Sequence, residues 1–371
     1  MMKVGITGQS GFIGTHLFNY LGLQDGIERI PFQDSCFDSD EALHDFVKEC
    51  DAIVHLAAVN RHEDEKVLYQ TNIDLVKKLI NALDTSRSKP HLIFASSTQE
   101  ELGNLYGESK RIGRELLAQW AGRNHARFSG MVIPNVFGPF GRPYYNSVVA
   151  TFCHQLTHGE EPRIVKDRNL KLIYSKELVD CIFRVLLNAS SSDVLPVAPT
   201  GEHSVSEILE ILRDFRQTYL ESGVFPDLQK PFVRDLFNTF MCSIPRKDHF
   251  PVTLQKHEDA RGMFVETMKL KSGGQVSFST TVPEVTRGNH FHIRKVERFA
   301  VIKGEAVIRL RRIGTDAVET YRISGDSLGY VDIPIWHTHN ISNIGGNELV
   351  TLFWINEHFN KSDPDTYYEK V

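Results

Sequence analysis

The sequence predicts an α/β chain in two parts, a doubly wound parallel sheet followed by a small all-β domain. Three observations carry this. Short β-branched or apolar runs alternate with amphipathic stretches of helix length through the first half of the 371 residues, the pattern of parallel strands flanked by helices. A G-x-x-G-x-x-G turn at residues 8–14 joins the first run to the first helix. After about Phe250 the texture changes to short alternating runs separated by Gly, Pro, Asn and Asp, as in a chain of antiparallel strands.

The elements follow in order. Residues 3–7 form the first strand and run into Gly8-Gln9-Ser10-Gly11-Phe12-Ile13-Gly14, which opens a helix over 12–21. Missing β-carbons at Gly8, Gly11 and Gly14 let the backbone approach a pyrophosphate at a helix N-terminus. The bland alternative is a tight turn without a ligand. Further strands are expected at 52–56, 91–95 and 130–133, and helices at 68–83 and 106–120, where apolar residues recur at helical spacing. A helix over 205–220, then Pro226, Pro231, Pro245 and Pro251, puts the boundary near Ser243 and gives domains 1–243 and 244–371. The second domain offers strands at 275–282, 298–303, 306–311 and 349–354.

Composition excludes several classes. The net charge is −5 and no Lys/Arg block appears, so nucleic acid is not an expected partner. No apolar run approaches the roughly 20 residues that cross a bilayer, and the start enters a strand without a signal-peptide core. The expectation is a cytoplasmic protein with no membrane partner. Cys36, Cys50, Cys153, Cys181 and Cys242 are scattered without a C-x-x-C pair, which fits a reducing compartment.

The strand at 91–95 ends in Ser96-Ser97-Thr98, and Tyr106-Gly107-Glu108-Ser109-Lys110 follows. On a helix Tyr106 and Lys110 share a face, so the ammonium can lower the phenol's pKa; standing alone, the pair would read as a solvated face. With the glycine turn, Asp51-Ala52-Ile53-Val54-His55-Leu56-Ala57-Ala58 and Pro134-Asn135-Val136-Phe137-Gly138-Pro139, these residues resemble the extended short-chain dehydrogenase/reductase family over roughly residues 1–240. The resemblance implies a Rossmann-type sheet, with Thr7, Gly8, Gly11, Phe12, Ile13, Gly14, Leu56, Ala57, Tyr106 and Lys110 at the cofactor. It implies that Tyr106 transfers the proton, Lys110 holds the ribose and Ser97 hydrogen-bonds the reacting carbonyl. Asn135 then meets the diphosphate of a nucleotide sugar, with Tyr145 and Asn146 in the same cleft. Two features depart from the family. Only nine positions separate Ser97 from Tyr106, so one wall of the site is shortened. Residues 29–34 show neither a clear acidic residue for a ribose hydroxyl nor an obvious arginine for a 2′-phosphate, so NADPH is implied by the resemblance alone.

In Gly288-Asn289-His290-Phe291-His292-Ile293-Arg294-Lys295-Val296-Glu297, strand alternation points His290 and His292 to one face, with Glu297 on the adjoining strand. Two imidazoles and a carboxylate suit a divalent ion, Zn2+ first, with a fourth ligand at His337 or His339. Taken singly, each histidine would read as a surface or core residue. Their spacing resembles the cupin superfamily of jelly-roll barrels: His290, His292, Glu297 and Gly304 meet its first motif. Its second motif selects His339 and Asn343, with Trp336 where a glycine is customary and His337 left as an acid/base candidate. Arg261 and Glu266 resemble the substrate-binding positions of the dTDP-4-keto-6-deoxyhexose 3,5-epimerases.

Along its whole length the chain resembles the CapF-type bifunctional enzymes of capsule and O-antigen synthesis. That implies a UDP-linked 4-keto-6-deoxy amino sugar as substrate, epimerised at carbon 3 by the cupin and reduced at carbon 4 by the first domain, in a homodimer formed through the cupin. The competing readings are a reductase with a purely dimerising cupin and a non-catalytic nucleotide sensor.

Overall fold

The computed structural model describes residues 1–188 and 191–371. Its contacts divide into two compact units, Met1–Thr151 with Lys166–Val205, and Phe152–Val165 with Ser206–Val371.

The first unit runs β1 Met2–Thr7, α1 Phe12–Leu21, β2 Ile27–Ile30, α2 Asp40–Glu49, β3 Ala52–His55, α3 Glu65–Ser86, β4 His91–Ser97, α4 Leu105–Asn124, β5 Phe128–Ile133 and β6 Asn135–Phe137. The boundary falls inside α5 Val148–Thr157, and β7 Asn169–Tyr174, α6 Ser175–Leu187, β8 Ser192–Pro196 and β9 Gly201–Ser204 complete the unit. Six strands form one parallel sheet in the order β2-β1-β3-β4-β5-β8. Side chains alternate between its faces. Ile53, Leu92 and Phe94 pack with Leu43 and Phe46 of α2, Leu79 of α3 and Trp120 of α4. Val4, Ile6, Val54 and Ile93 pack on the other face with Leu17 of α1 and Ile182 of α6. Apolar layers on both faces make the sheet doubly wound, as expected. Strand order reverses between β1 and β3, so the crevice at their C-terminal ends is where a dinucleotide binds in such sheets.

The expected helices are longer than periodicity suggested because polar caps extend them. Asp64 accepts from the Lys66 amide at 2.8 Å and Asn104 from the Gly107 amide at 2.7 Å. The two helices stop at Arg87 and His125, both at positive φ. Expected residues 205–220 divide into α7 Val205–Phe215 and one π-type turn, Arg216–Leu220.

The second unit continues with β10 Val224–Phe225, α8 Pro231–Met241, α9 Arg246–His249, β11 Val252–Thr253, β12 Lys256–Asp259, β13 Gly262–Val265, β14 Lys269–Leu270, β15 Gln275–Thr281 and β16 Thr286–Phe291. Then come β17 Glu297–Lys303, β18 Glu305–Arg312, β19 Val318–Ser324, β20 Gly329–Ile333, β21 His337–Asn343, β22 Leu349–Ile355 and β23 Tyr367–Tyr368. Two five-stranded sheets, β11-β20-β17-β22-β15 and β19-β18-β21-β16-β23, are antiparallel throughout. Phe299, Val301 and Val331 of the first share a core with Ile308, Leu310 and Ile341 of the second, as a jelly-roll barrel requires.

The sequence put residues 206–243 in the first domain; their contacts lie with the second unit. The cause is a buried polar knot. The Arg298 guanidinium donates to both Asp332 oxygens at 2.7 and 2.8 Å and to the Gly223 carbonyl at 3.2 Å, and the Tyr219 hydroxyl donates to Asp332 at 2.7 Å. Arg298 also lies over the rings of Tyr330 and Phe225, 3.6 and 4.8 Å from their centroids. Leaving any of these groups buried without the others would cost several kcal/mol.

Candidate active site and metal centre

The glycine turn sits at the sheet's reversal point. Gly8, at φ 69, brings β1 so close to β3 that a β-carbon there would lie 2.8 Å from Ala57 backbone, and one at Gly14 would lie 2.2 Å from the Gly8 carbonyl oxygen. Phe12 and Ile13 form the first turn of α1, which has no side-chain cap and no acidic residue. Its amides remain open to an anion. Thr7 ends β1, and its hydroxyl takes the Ala57 amide at 3.4 Å and pairs with His55 Nδ1 at 2.7 Å. Leu56 and Ala57 thereby flank the turn.

Sequence reasoning passed over Asp34. It stands just beyond β2, where the Ser10 hydroxyl of the glycine turn donates to it at 3.0 Å. Its place, twenty residues after Gly14, was the available signal, because an acidic residue at about that distance meets the adenosine ribose in dinucleotide sites. Arg29 is engaged elsewhere, donating to the Phe18 carbonyl at 2.9 Å and covering the Phe18 ring.

Ser97 closes β4 and its hydroxyl accepts the Gln99 amide at 3.2 Å, opening a 3-10 turn, Thr98–Glu101. This turn is compact. It packs so tightly on α4 that a β-carbon at Gly107 would lie 1.9 Å from the Gln99 carbonyl oxygen. Glu100 ties the turn down: it takes the Ser96 hydroxyl and two Arg114 donors at 2.9 and 2.7 Å. Tyr106 is half-buried in the first turn of α4, and Lys110 is buried one turn on, with its ammonium 5.0 Å from the Phe94 ring centroid. Between them Ser109 donates to the Tyr106 carbonyl at 2.7 Å and accepts from Asn72 at 3.1 Å, while Asn72 also clamps both main-chain groups of Val59. Asn72 was not anticipated; its clamp links the loop after β3 to α4.

The lowered phenol pKa expected from the Tyr106–Lys110 spacing is corrected by burial. Desolvation, with Tyr145 nearby, pushes Tyr106 up to about 12, and desolvation brings Lys110 down to about 8 against the pull of Glu100. Helical spacing sets neighbours but says nothing of burial, which penalises both charged forms here.

Tyr145 is half-buried and Asn146 exposed, and their segment is held by Arg61, which donates to the Tyr144 and Tyr145 carbonyls at 3.1 Å each, and by Asn146, which donates to the Asn60 carbonyl at 3.3 Å. Asn135 is exposed at the start of β6. Arg261 and Glu266 belong to the second unit, on and beside the exposed β12–β13 hairpin. Each is in a surface ion pair, Arg261 with Asp259 and Glu266 with Lys269.

In the second unit His290 on β16 lies opposite His339 on β21, His292 follows β16, and Glu297 opens β17 of the facing sheet. Among the described residues these four form the one group whose ligand atoms all lie within 4.8 Å of one another. Glu297 Oε2 stands 3.2 Å from His292 Nε2 and 2.9 Å from His339 Nε2, yet none of the three buried atoms has a hydrogen-bond partner. The three atoms crowd together in the interior. Buried polar atoms are otherwise almost always paired, and the separations approach the roughly 3.3 Å edge of a tetrahedron with zinc–nitrogen bonds near 2.0 Å. His292 Nδ1 meets the Asp365 carbonyl, and His339 Nδ1 the His337 carbonyl at 3.2 Å. Donation there leaves each Nε2 as an acceptor. The donor set fits a divalent ion.

His337 lies outside the quartet, wholly buried, its Nδ1 2.8 Å from the Ile335 carbonyl. Burial, then Arg246, holds its pKa well below the usual imidazole value. Trp336 keeps the left-handed backbone for which glycine is customary, at φ 60, with its amide on the His292 carbonyl at 2.7 Å and its ring stacked on Phe291. Asn343 is structural: its amide donates to the Thr281 and Asn347 carbonyls at 2.8 Å each.

A parallel sheet with an open glycine turn at its reversal point, joined to an antiparallel barrel with a three-histidine, one-glutamate cluster, defines a two-part dinucleotide enzyme scaffold. Residues 4–198 match the NAD dependent epimerase/dehydratase family and residues 257–367 the Polysaccharide biosynthesis C-terminal domain, and the chain belongs to the NAD dependent epimerase/dehydratase family. It is 36% identical over 369 residues, 99% of this chain and 98% of the relative, to the UDP-2-acetamido-2,6-beta-L-arabino-hexul-4-ose reductase of Pseudomonas aeruginosa. The capsular polysaccharide assembling protein CapF of Staphylococcus aureus has a crystal structure that superposes with a TM-score of 0.64 at 34% identity, covering 100% of both chains. These whole-chain matches bear out the CapF-type resemblance read from the motifs. RMD from Pseudomonas aeruginosa, complexed with NADPH, shares the fold of the first part, with a TM-score of 0.53, 22% identity, and coverage of 58% of this chain and 83% of that one. No helix among the described residues is long and apolar enough to cross a membrane.

Proposed function

We propose that the chain is a bifunctional nucleotide-sugar enzyme. Its second unit epimerises carbon 3 of UDP-2-acetamido-2,6-dideoxy-4-ketohexose. Its first unit then reduces the 4-keto group to give UDP-2-acetamido-2,6-dideoxy-L-talose, on the route to UDP-N-acetyl-L-fucosamine. The observation that carries the reading is the 36% identity along 99% of the chain to a reductase named for a UDP-linked 4-ulose.

In the reduction, bound NADPH would supply the hydride. The Ser97 hydroxyl hydrogen-bonds the carbonyl and Tyr106 delivers the proton to its oxygen. With a pKa near 12 the phenol stays protonated at neutral pH, which suits an acid, and an alkoxide is basic enough to take its proton. Lys110, buried beside it, holds the ribose and carries the positive charge that eases phenolate formation. Asn135, Tyr145 and Asn146 bind the UDP-sugar. The Asp34 carboxylate beside Ser10 works against a 2′-phosphate, so Asp34→Ala is expected to raise the ratio of kcat/KM with NADPH to that with NADH; an unchanged ratio removes Asp34 from coenzyme choice.

In the epimerisation, the 4-ketone acidifies the hydrogen on carbon 3, and Zn2+ held by His290, His292, Glu297 and His339 would supply Lewis-acid stabilisation of the developing negative charge. Arg261 and Glu266 are assigned to substrate on resemblance. A homodimer through the second unit belongs to the same reading, supported by exposed Val276 and Phe278 on edge strand β15, an apolar surface of the kind that partners cover.

Tyr106→Phe tests the division of labour. It is expected to abolish coenzyme oxidation while deuterium exchange at carbon 3 persists; retained oxidation removes Tyr106 from its role. His290→Ala is expected to lose metal and exchange together, and unchanged exchange in metal-free protein overturns the Lewis-acid assignment.

A further inference from the structure

The segment 363–371 contributes no member of the histidine–glutamate quartet, yet it touches the surroundings of every member. Asp365 is 2% exposed and sits at φ 43. Its carboxylate accepts the amides of Ile293, Arg294 and Lys295 at 3.2, 3.1 and 3.0 Å. Those three residues lie in the loop joining His292 to Glu297. The Asp365 carbonyl accepts from His292 Nδ1, and Lys295 Nζ donates to the Pro364 carbonyl at 2.5 Å. Farther along, β23 pairs with β16 at His290↔Tyr368, the Glu369 amide donates to the Asn289 carbonyl at 3.0 Å, and Thr338, beside His339, donates to the Glu369 carbonyl.

The physical consequence differs among the histidines. An imidazole can offer Nε2 to a cation only when its proton sits on Nδ1, and the acceptor at Nδ1 fixes both tautomer and ring orientation. For His339 that acceptor is two residues away, the His337 carbonyl, and His290 hydrogen-bonds the backbone of Gly288. These are local and come with the strand. For His292 the acceptor is 73 residues distant, so its orientation depends on where the segment lies. The same residue gathers three amides on one buried carboxylate, the stronger, charge-assisted kind of hydrogen bond, and so fixes the loop that spaces His292 from Glu297.

We propose that residues 363–371 form the outer layer of the metal centre, with Asp365 as the positioning residue that orients His292 and sets its distance from Glu297, so that a segment holding no ligand governs metal affinity. The inference rests on the metal reading given above.

The test uses full-length protein and the variants D365A and D365N. Each is stripped with a chelator, and Zn2+ affinity is then measured by competition with a chromophoric chelator, alongside thermal melting of the zinc-free form. D365A is expected to bind zinc about 10- to 100-fold more weakly, the range for lost outer hydrogen bonds to ligands. D365N, which keeps the main-chain acceptor and one side-chain acceptor, is expected to lose about tenfold with zinc-free melting unchanged. Zinc affinity within about twofold of wild type in D365A overturns the proposal whatever the melting temperature. Should D365A fail to fold, D365N decides: undiminished affinity overturns, and weakened binding in a normally melting protein supports. Wild-type protein that takes up no zinc in the same titration defeats the metal reading itself.

Discussion

Replacing Gly107 with alanine probes the shortened wall of the reductase site. The added β-carbon would lie 1.9 Å from the Gln99 carbonyl oxygen, 2.5 Å from its carbonyl carbon and 3.1 Å from the Glu100 nitrogen. All three are backbone atoms, so no flexible side-chain end can swing aside. Restoring a contact of 3.0 Å requires the Gln99 peptide to retreat by about 1.1 Å. On one side of that peptide the Gln99 amide donates to the Ser97 hydroxyl, and on the other the Glu100 side chain is anchored to Arg114, so the movement is carried to the group assigned to the carbonyl. A misplacement of about 1 Å costs on the order of 100-fold in rate, and the overpacking itself about 1–3 kcal/mol. The assay is kcat for reduction of the 4-keto sugar nucleotide at saturating coenzyme, with coenzyme affinity measured separately. The expected result is a kcat about 100-fold lower with coenzyme affinity little changed, because the glycine turn is untouched. A kcat within about twofold of wild type refutes the reasoning.

The pH dependence of reduction has a definite sign. Lys110, lowered to about 8, is charged below that pH and neutral above it, whereas Tyr106, near 12, stays protonated across the range. The rate of coenzyme oxidation is therefore expected to be level from about pH 6 to 7.5 and to fall about tenfold per unit above 8; a plateau extending well into the alkaline range contradicts it. Arg298→Met strands the fully buried Asp332 carboxylate and is expected to destabilise the second unit by about 3–5 kcal/mol in chemical denaturation. A loss below about 1 kcal/mol, typical of a surface pair, sinks that account.

Residues close in sequence or at fixed spacing were legible. The strand, glycine turn and helix at 2–21 follow from alternation and missing β-carbons, the H-x-H spacing with Glu297 picked out three of the four clustered residues, and the cupin resemblance selected the fourth, His339. What escaped was long-range burial and backbone recognition. The proline cluster suggested a boundary near Ser243, whereas Tyr219, Arg298 and Asp332 meet over 113 and 34 residues of sequence. Nothing in the strand pattern marks Arg298 as buried. Asp365 binds main-chain amides, which leave no residue signature in their partner. Tyr106 and Lys110 were correctly read as helical neighbours, but their pKa values follow burial. Trp336 shows that a left-handed turn can persist with a bulky residue when its ring is packed and its amide paired.

The measurement that bears most directly on the proposal that one chain handles one ketone in two steps is NMR of the 4-keto UDP-sugar incubated with the protein in heavy water, with and without reduced coenzyme. Without coenzyme, deuterium is expected to enter carbon 3 and the carbonyl to persist; with it, the alcohol is expected to appear carrying that label and the inverted centre. An alcohol that forms with carbon 3 unlabelled and unchanged in configuration would contradict the account.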